Sequence, residues 1–293
     1  MNLALTVLEI TAPVFALAAI GYVWVRLGYD YPTEFVTRLA MTLGVPALIF
    51  VALMQTDIAL DALSRIAVAA ACAYLVVTAG AFGIARLAGL DLRTYLAPLG
   101  MGNTGNIGLP LAVFAYGDTG LGFAVVVFAV SVIYAFTFGV WMVAGASSLR
   151  PMLREPMIWA TVLGALFLWQ GWETPTVVTN TLSLLGQLAI PLMLITLGTA
   201  VARLTPANIR VATAVALAKA ALCIAVGWGI ATAFALPPTA FGILVLQIAA
   251  PAAVTSYLIA VKYKADAQAV AGLVVMSTLL SVIILPLILA LVL

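Results

Sequence analysis

Apolar residues gather along this chain in blocks of about twenty, parted by short polar or charged breaks. Ten blocks can be drawn, at 3–25, 35–54, 64–88, 95–116, 120–144, 156–172, 177–202, 209–236, 239–261 and 267–292. A helix of about twenty residues crosses a hydrocarbon core of ~30 Å, whereas a barrel strand needs only about ten. The pattern predicts an all-α integral membrane protein of ten transmembrane helices. The connections are short and no stretch reads as a soluble domain or tail, so residues 1–293 are expected to form one membrane domain.

The fourth block is broken from within. Gly100-Met-Gly-Asn-Thr-Gly-Asn-Ile-Gly-Leu-Pro110 packs four glycines, two asparagines and a proline into eleven residues. Each interior glycine weakens a helix by roughly 1 kcal/mol relative to alanine, and Pro110 has no N–H and clashes with the preceding turn. Lipid satisfies neither the freed backbone nor the amides of Asn103 and Asn106. Such a break survives only where it is buried in protein or lines a wet cavity. A proline at mid-block in the ninth, Pro251, marks a second candidate break.

Composition agrees with the spans. The chain is 66% hydrophobic and 8% charged, against about 25% charged in soluble domains. A net charge of +2 is too small to imply nucleic acid. There is no histidine, and Cys72 and Cys223 fall inside apolar blocks, where they read as small hydrophobes and not as a disulfide or metal ligands. Glu9 interrupts the first block, which lacks a basic leader and reads as a retained helix.

The charges also fix an orientation. Numbering the connections one to nine, the odd ones and their edges hold Arg26, Arg38, Arg86, Arg93, Arg150, Arg154, Arg203, Arg210, Lys262 and Lys264, ten of the twelve basic residues. The even ones hold Arg65, while Asp57, Asp61, Asp118 and Glu173 lie on that side. Positive-inside logic puts the odd connections in the cytoplasm and both termini outside. Trp24, Trp141, Trp159, Trp169 and Trp172 fall near block ends, where indoles anchor at the interface.

The halves repeat. Pro13 and Gly21 recur as Pro156 and Gly164, Pro46 as Pro191, and Pro110 as Pro251, at offsets of 143, 145 and 141. Blocks one to five, about 1–146, thus correspond to six to ten, about 150–293. Five is odd, so the second half enters from the opposite face. This 5+5 inverted repeat with broken, crossing helices four and nine points to a binding site at the midplane.

A half-helix that begins at Pro110, and another at Pro251, would each present free N–H groups and a positive dipole end. Asn103, Thr104, Asn106 and Gln247, with Thr255 and Ser256 one turn beyond Pro251, would complete a pocket for a carboxylate on an apolar body. The asparagines could equally do no more than cap broken backbone. Lys219 lies nine residues past Arg210, roughly 14 Å into the eighth block. It is either a counter-charge for an anion, a fixed cation where a coupling ion would bind, or a side chain that snorkels to the surface. No Asp or Glu lies well inside a block, so the driving ion, Na+ or H+ or neither, stays open. No bound cofactor is expected.

Asn103-Thr-Gly-Asn-Ile-Gly-Leu-Pro-Leu111 resembles the fourth-helix motif of the auxin efflux carrier family of permeases. So do Pro251-Ala-Ala-Val-Thr-Ser-Tyr-Leu-Ile-Ala260, Lys262-Tyr-Lys264 with Asp266, Met276-Ser-Thr-Leu-Leu-Ser281 and Pro286; the likeness spans the whole chain and includes Pro46. It implies the fold of the bile-acid sodium symporters. There a scaffold of helices 1, 2, 6 and 7 carries a transport domain of helices 3–5 and 8–10, with elevator-type motion, homodimers and anionic substrates. Plant members export indole-3-acetate, and bacterial members are described as carriers of malonate or malate. The family's substrate-contacting asparagine would fall on Asn103 or Asn106. The plant members' long cytoplasmic loop is missing here, since the link from Arg150 to Pro156 is very short, which favours a bacterial type in the inner membrane. Span nine has no acidic residue near Gln247, so the sodium site of the bile-acid branch is not carried over. The expected function is secondary transport of a small organic mono- or dicarboxylate. A ligand-binding receptor on the same fold is the alternative, and an enzyme is not expected.

Overall fold

The computed structural model describes residues 3–145, 152–205 and 208–293. Their helices are α1 (Leu3–Arg26), α2 (Thr33–Leu39), α3 (Val45–Met54), α4 (Leu60–Leu87), α5 (Leu92–Gly100), α6 (Leu109–Tyr134), α7 (Val140–Ala144), α8 (Pro156–Gln170), α9 (Thr176–Arg203), α10 (Ile209–Ala233), α11 (Pro238–Ile248), α12 (Val254–Lys262) and α13 (Ala267–Val292). No β-strand occurs among the described residues, only one isolated bridge. Arg150 and the midpoint of the expected repeat lie outside the described residues.

Seven stretches are long and apolar enough to cross a membrane: Leu3–Arg26, Thr33–Met54, Leu60–Leu87, Thr104–Ala144, Thr176–Arg203, Ile209–Ala233 and Ala267–Val292. The protein is therefore an all-helical, multi-span membrane protein. The difference from ten blocks has physical causes. Blocks four and nine are each two short helices around a break, and α8 has only 15 residues. Thr104–Ala144 has 41 residues, about twice what a ~30 Å core requires. It is divided at Gly117, whose φ of 60° and ψ of −149° are open essentially to glycine alone. Past Gly117 the chain returns on itself, so that Thr104 Oγ1 lies 2.7 Å from Ser131 Oγ. A straight helix would hold those residues roughly 40 Å apart.

Two of the π-helical turns precede prolines. Ala40–Gly44 leads to Pro46 and Thr104–Gly108 to Pro110. A proline withdraws the N–H that would serve the carbonyl four residues back. Here one extra residue enters the turn, and Val45 N and Leu109 N donate to Ala40 O and Thr104 O, five residues back.

Much of the packing runs between the halves: α1 lies along α9, α3 along α8 and α9, and α10 against α4; α10 also packs on α11 and α13 of its own half. Small residues permit the closest approaches: Gly21 faces the Ile195 backbone, Gly198 faces Ala18, and Gly164 faces Leu53. Gly164 stands 143 positions after Gly21, and Ile195 142 positions after Leu53, so one contact recurs with its partners exchanged.

Candidate functional site

Both breaks are present and they touch. α5 ends at Gly100 and α11 at Ile248. Between each and the next helix the chain leaves the helical path, and Gly102 pairs antiparallel with Ala252. Asn103 N donates to Pro251 O at 2.7 Å, and Ala253 N to Met101 O at 3.0 Å. Backbone released by one break is thus satisfied by the other, which lipid could not do. Gly102 admits this approach because a Cβ there would stand 3.3 Å from Gln247 O.

The half-helices do not begin at the prolines. The first begins at Thr104 with Asn103 as its cap, and Pro110 lies buried beyond the π turn. The second begins at Val254 with Ala253 as its cap, and Pro251 stays in the break. In the first, an acceptor side chain at the cap outranks a proline at the first turn. Asn103 Oδ1 takes Asn106 N at 3.3 Å.

A cavity of about 360 Å³ lies against both starts. Asn103, Thr104, Gly105 and Asn106 line it from one helix and Ala253, Val254 and Thr255 from the other. The first N–H groups of a helix have no partner within it, and here two such sets converge on one space. Asn103 is 6% exposed, and its Nδ2, the donor its cap does not use, has no partner. Thr104 is already committed: Ser131 Oγ donates to Phe128 O, which leaves Thr104 Oγ1 to donate to Ser131 Oγ.

Sequence reading missed much of the wall, because it comes from helices with no local signal. Tyr74 on α4 is 3% exposed, with a hydroxyl that has no partner. Its ring stacks on Tyr134 at 4.8 Å. Tyr134 donates to Thr78 Oγ1, which itself donates to Tyr74 O. Phe128, Met41 and Met157 supply apolar surface. Glu155, at the cap of α8, lines the cavity too, and burial pushes its carboxyl above the ordinary range.

The remaining expected residues sit elsewhere. Gln247 is fully buried between helices: its Nε2 donates to Ala124 O at 3.3 Å, its Oε1 has no partner and lies against Gly108, and it does not line the cavity. Ser256 donates to Ala253 O at 2.6 Å, closing its own helix start. Lys219 does not snorkel. It is 2% exposed and its Nζ donates to Leu99 O at 2.9 Å, with Cys223 Sγ at 3.8 Å. It borders Pro251 on a different face of the crossing from the cavity. A second cavity, of about 590 Å³, is lined by Gln55, Asp57, Asp118 and Gln187, at the far end of α3 from Thr37 of the first.

Chemically, the first cavity offers hydrogen-bond donors at one end and apolar walls around them. Residues 143–289 match the family described as Membrane transport protein. A protein of Methanothermobacter thermautotrophicus described as an uncharacterized transporter is 27% identical, over 95% of this chain and 96% of its own length. Half of the chain lies within the family match, which takes in the second of the two breaks: the chain belongs to the membrane transport protein family, the auxin efflux carrier-like permeases.

Proposed function

We propose that this permease is a secondary transporter of a small organic anion, a mono- or dicarboxylate, held at the crossing of the two broken helices. The observation that carries this reading is the convergence of two helix starts and the unpartnered Asn103 Nδ2 on one cavity. Anions are favoured at such ends, and a buried donor without a partner costs about 1–3 kcal/mol until something accepts from it. Asn103, Asn106 and Thr255 contact the substrate through their side chains and Thr104 through its backbone N–H, and Tyr74 adds a hydroxyl.

The chain forms a 5+5 inverted repeat of ten crossing segments, counting the limbs on either side of Gly117 separately. The exchanged contacts Gly21–Ile195 and Gly164–Leu53 support this. So does Ser131, which donates to Phe128 O three residues back just as Ser277, 146 positions later, donates to Val274 O. The scaffold is α1–α3, α8 and α9, and the crossing moves against it as an elevator within a homodimer. Arg38 and Arg154 flank the end of the cavity where Thr37 and Glu155 lie, so the cavity faces the cytoplasm of a bacterial inner membrane, with both termini outside.

Purified protein in liposomes tests this with radiolabelled acetate, malonate, malate and indole-3-acetate. Saturable flux of at least one acid is expected, reduced about tenfold or more in Asn106→Ala at an unchanged unfolding temperature. Flux that survives this change in full contradicts the site. Saturable binding without flux would make the protein a receptor.

A further inference from the structure

The crossing has a second face. On it lies a space of only about 10 Å³, bordered by Lys219, Ala249, Ala250, Pro251, Ser277 and Ser281. These residues repeat the wall of the anion cavity: Ser277 stands 146 positions after Ser131, Ser281 146 after Ala135, and Lys219 145 after Tyr74. Their bonds repeat as well. Ser131 receives Thr104 Oγ1 from the first break, and Ser277 Oγ receives Ala252 N from the second at 3.0 Å.

The two faces have opposite polarity. The anion cavity collects helix starts, whereas this face meets helix ends, α11 at its cap residue Ala249 and α5 through Leu99 O, which Lys219 reaches. Carbonyls at helix ends have no partner within the helix and carry the negative end of the dipole. The Lys219 ammonium meets one of them, Leu99 O, at 2.9 Å. No ion pair to Lys219 occurs among the described residues. The acids of the elements packed around it, Asp61, Asp91 and Asp266, stand at the starts of α4, α5 and α13.

We propose that this face is a monovalent-cation site whose permanent occupant is the Lys219 ammonium, tethered in place of an exchangeable ion. The protein then needs no Na+ or K+ at the crossing, and the charge travels with the two half-helices. Loaded with a monoanion the crossing is neutral, and empty it carries one positive charge. Shortening the side chain leaves the carbonyl and hydroxyl wall intact and opens the site to a free cation.

The test reads cation binding by itself, so it stands apart from whether an organic anion is carried. Detergent-purified wild type and Lys219→Ala are unfolded thermally in sodium, potassium, methylammonium or choline chloride at equal ionic strength. The wild type is expected to unfold at one temperature in all four salts. The variant is expected to unfold lower in choline and to rise by about 3 °C or more in at least one of the smaller cations. Lys219→Ser, which adds a hydroxyl, should show the same rise. A wild type stabilised by sodium or potassium over choline overturns the proposal. So do variants indifferent to every cation, or variants that no cation brings to a folded state.

Discussion

Asn103 performs two tasks with one amide. Its oxygen caps the half-helix and its nitrogen is left to the cavity. Asn103→Asp separates the tasks, because the carboxylate still caps but gives no donor and adds a repelling charge. We expect the unfolding temperature to hold while anion affinity falls by about 1.5–3 kcal/mol, roughly 10–150-fold, as measured by equilibrium binding. Gly108 makes a purely structural demand, since a Cβ there would run into the Gln247 amide. Gly108→Ala should cost about 1–3 kcal/mol of stability in thermal or denaturant unfolding. At this scale the sequence was readable in part. Asn103, Asn106 and Thr255 stand out as polar groups in an apolar block. Gln247 stands out equally, yet its amide nitrogen is spent on Ala124 O away from the cavity, and nothing near it in sequence says so. Tyr74 and Ser131 look like ordinary residues of apolar helices, and only folding brings them to the cavity. Ser131 could have been found through its counterpart Ser277.

The elements turn on where the helices stop. The break around Gly102 was legible because glycine, asparagine and proline crowd into one apolar block, each weakening helix for its own reason. Its exact extent was not. Proline suits a first turn, which drew the expected starts to Pro110 and Pro251, but a cap acceptor and the pairing of Gly102 with Ala252 set the actual ones. The pairing is long-range and leaves no local trace. Pro110 acts instead through the π turn before it. Gly117 is the other decisive point, as its backbone lets one long helical run fold back. Gly117→Ala should lower stability by about 1–3 kcal/mol, seen as a reduced unfolding temperature, because alanine is strained at that φ and ψ.

In the whole molecule, two cavities lie toward opposite ends of the stretch Thr33–Met54, with the crossing against the one that Glu155 borders. Burial raises the Glu155 pKa, so its contribution to stability is present below the ordinary carboxylate range and is lost as pH rises through the raised value. The same ionisation places a negative charge beside the proposed anion site. Affinity should therefore fall as pH climbs through that window. Glu155→Gln should flatten the fall and retain only the probe acid's own titration, in binding curves measured from pH 4.5 to 8. The apolar blocks made the all-helical, membrane-spanning frame readable, since they report directly on lipid. Which face of the crossing gathers helix starts and which gathers helix ends is set only in three dimensions. The most direct measurement is a structure with a bromine-substituted carboxylate, chosen from the acids that stabilise the protein, located by its anomalous scattering. The carboxylate is expected against Asn103 Nδ2 and the starts at Thr104 and Val254, with the bromine toward Tyr74 and Phe128. A bromine bound instead among Gln55, Asp57 and Asp118, with the crossing empty, would contradict it.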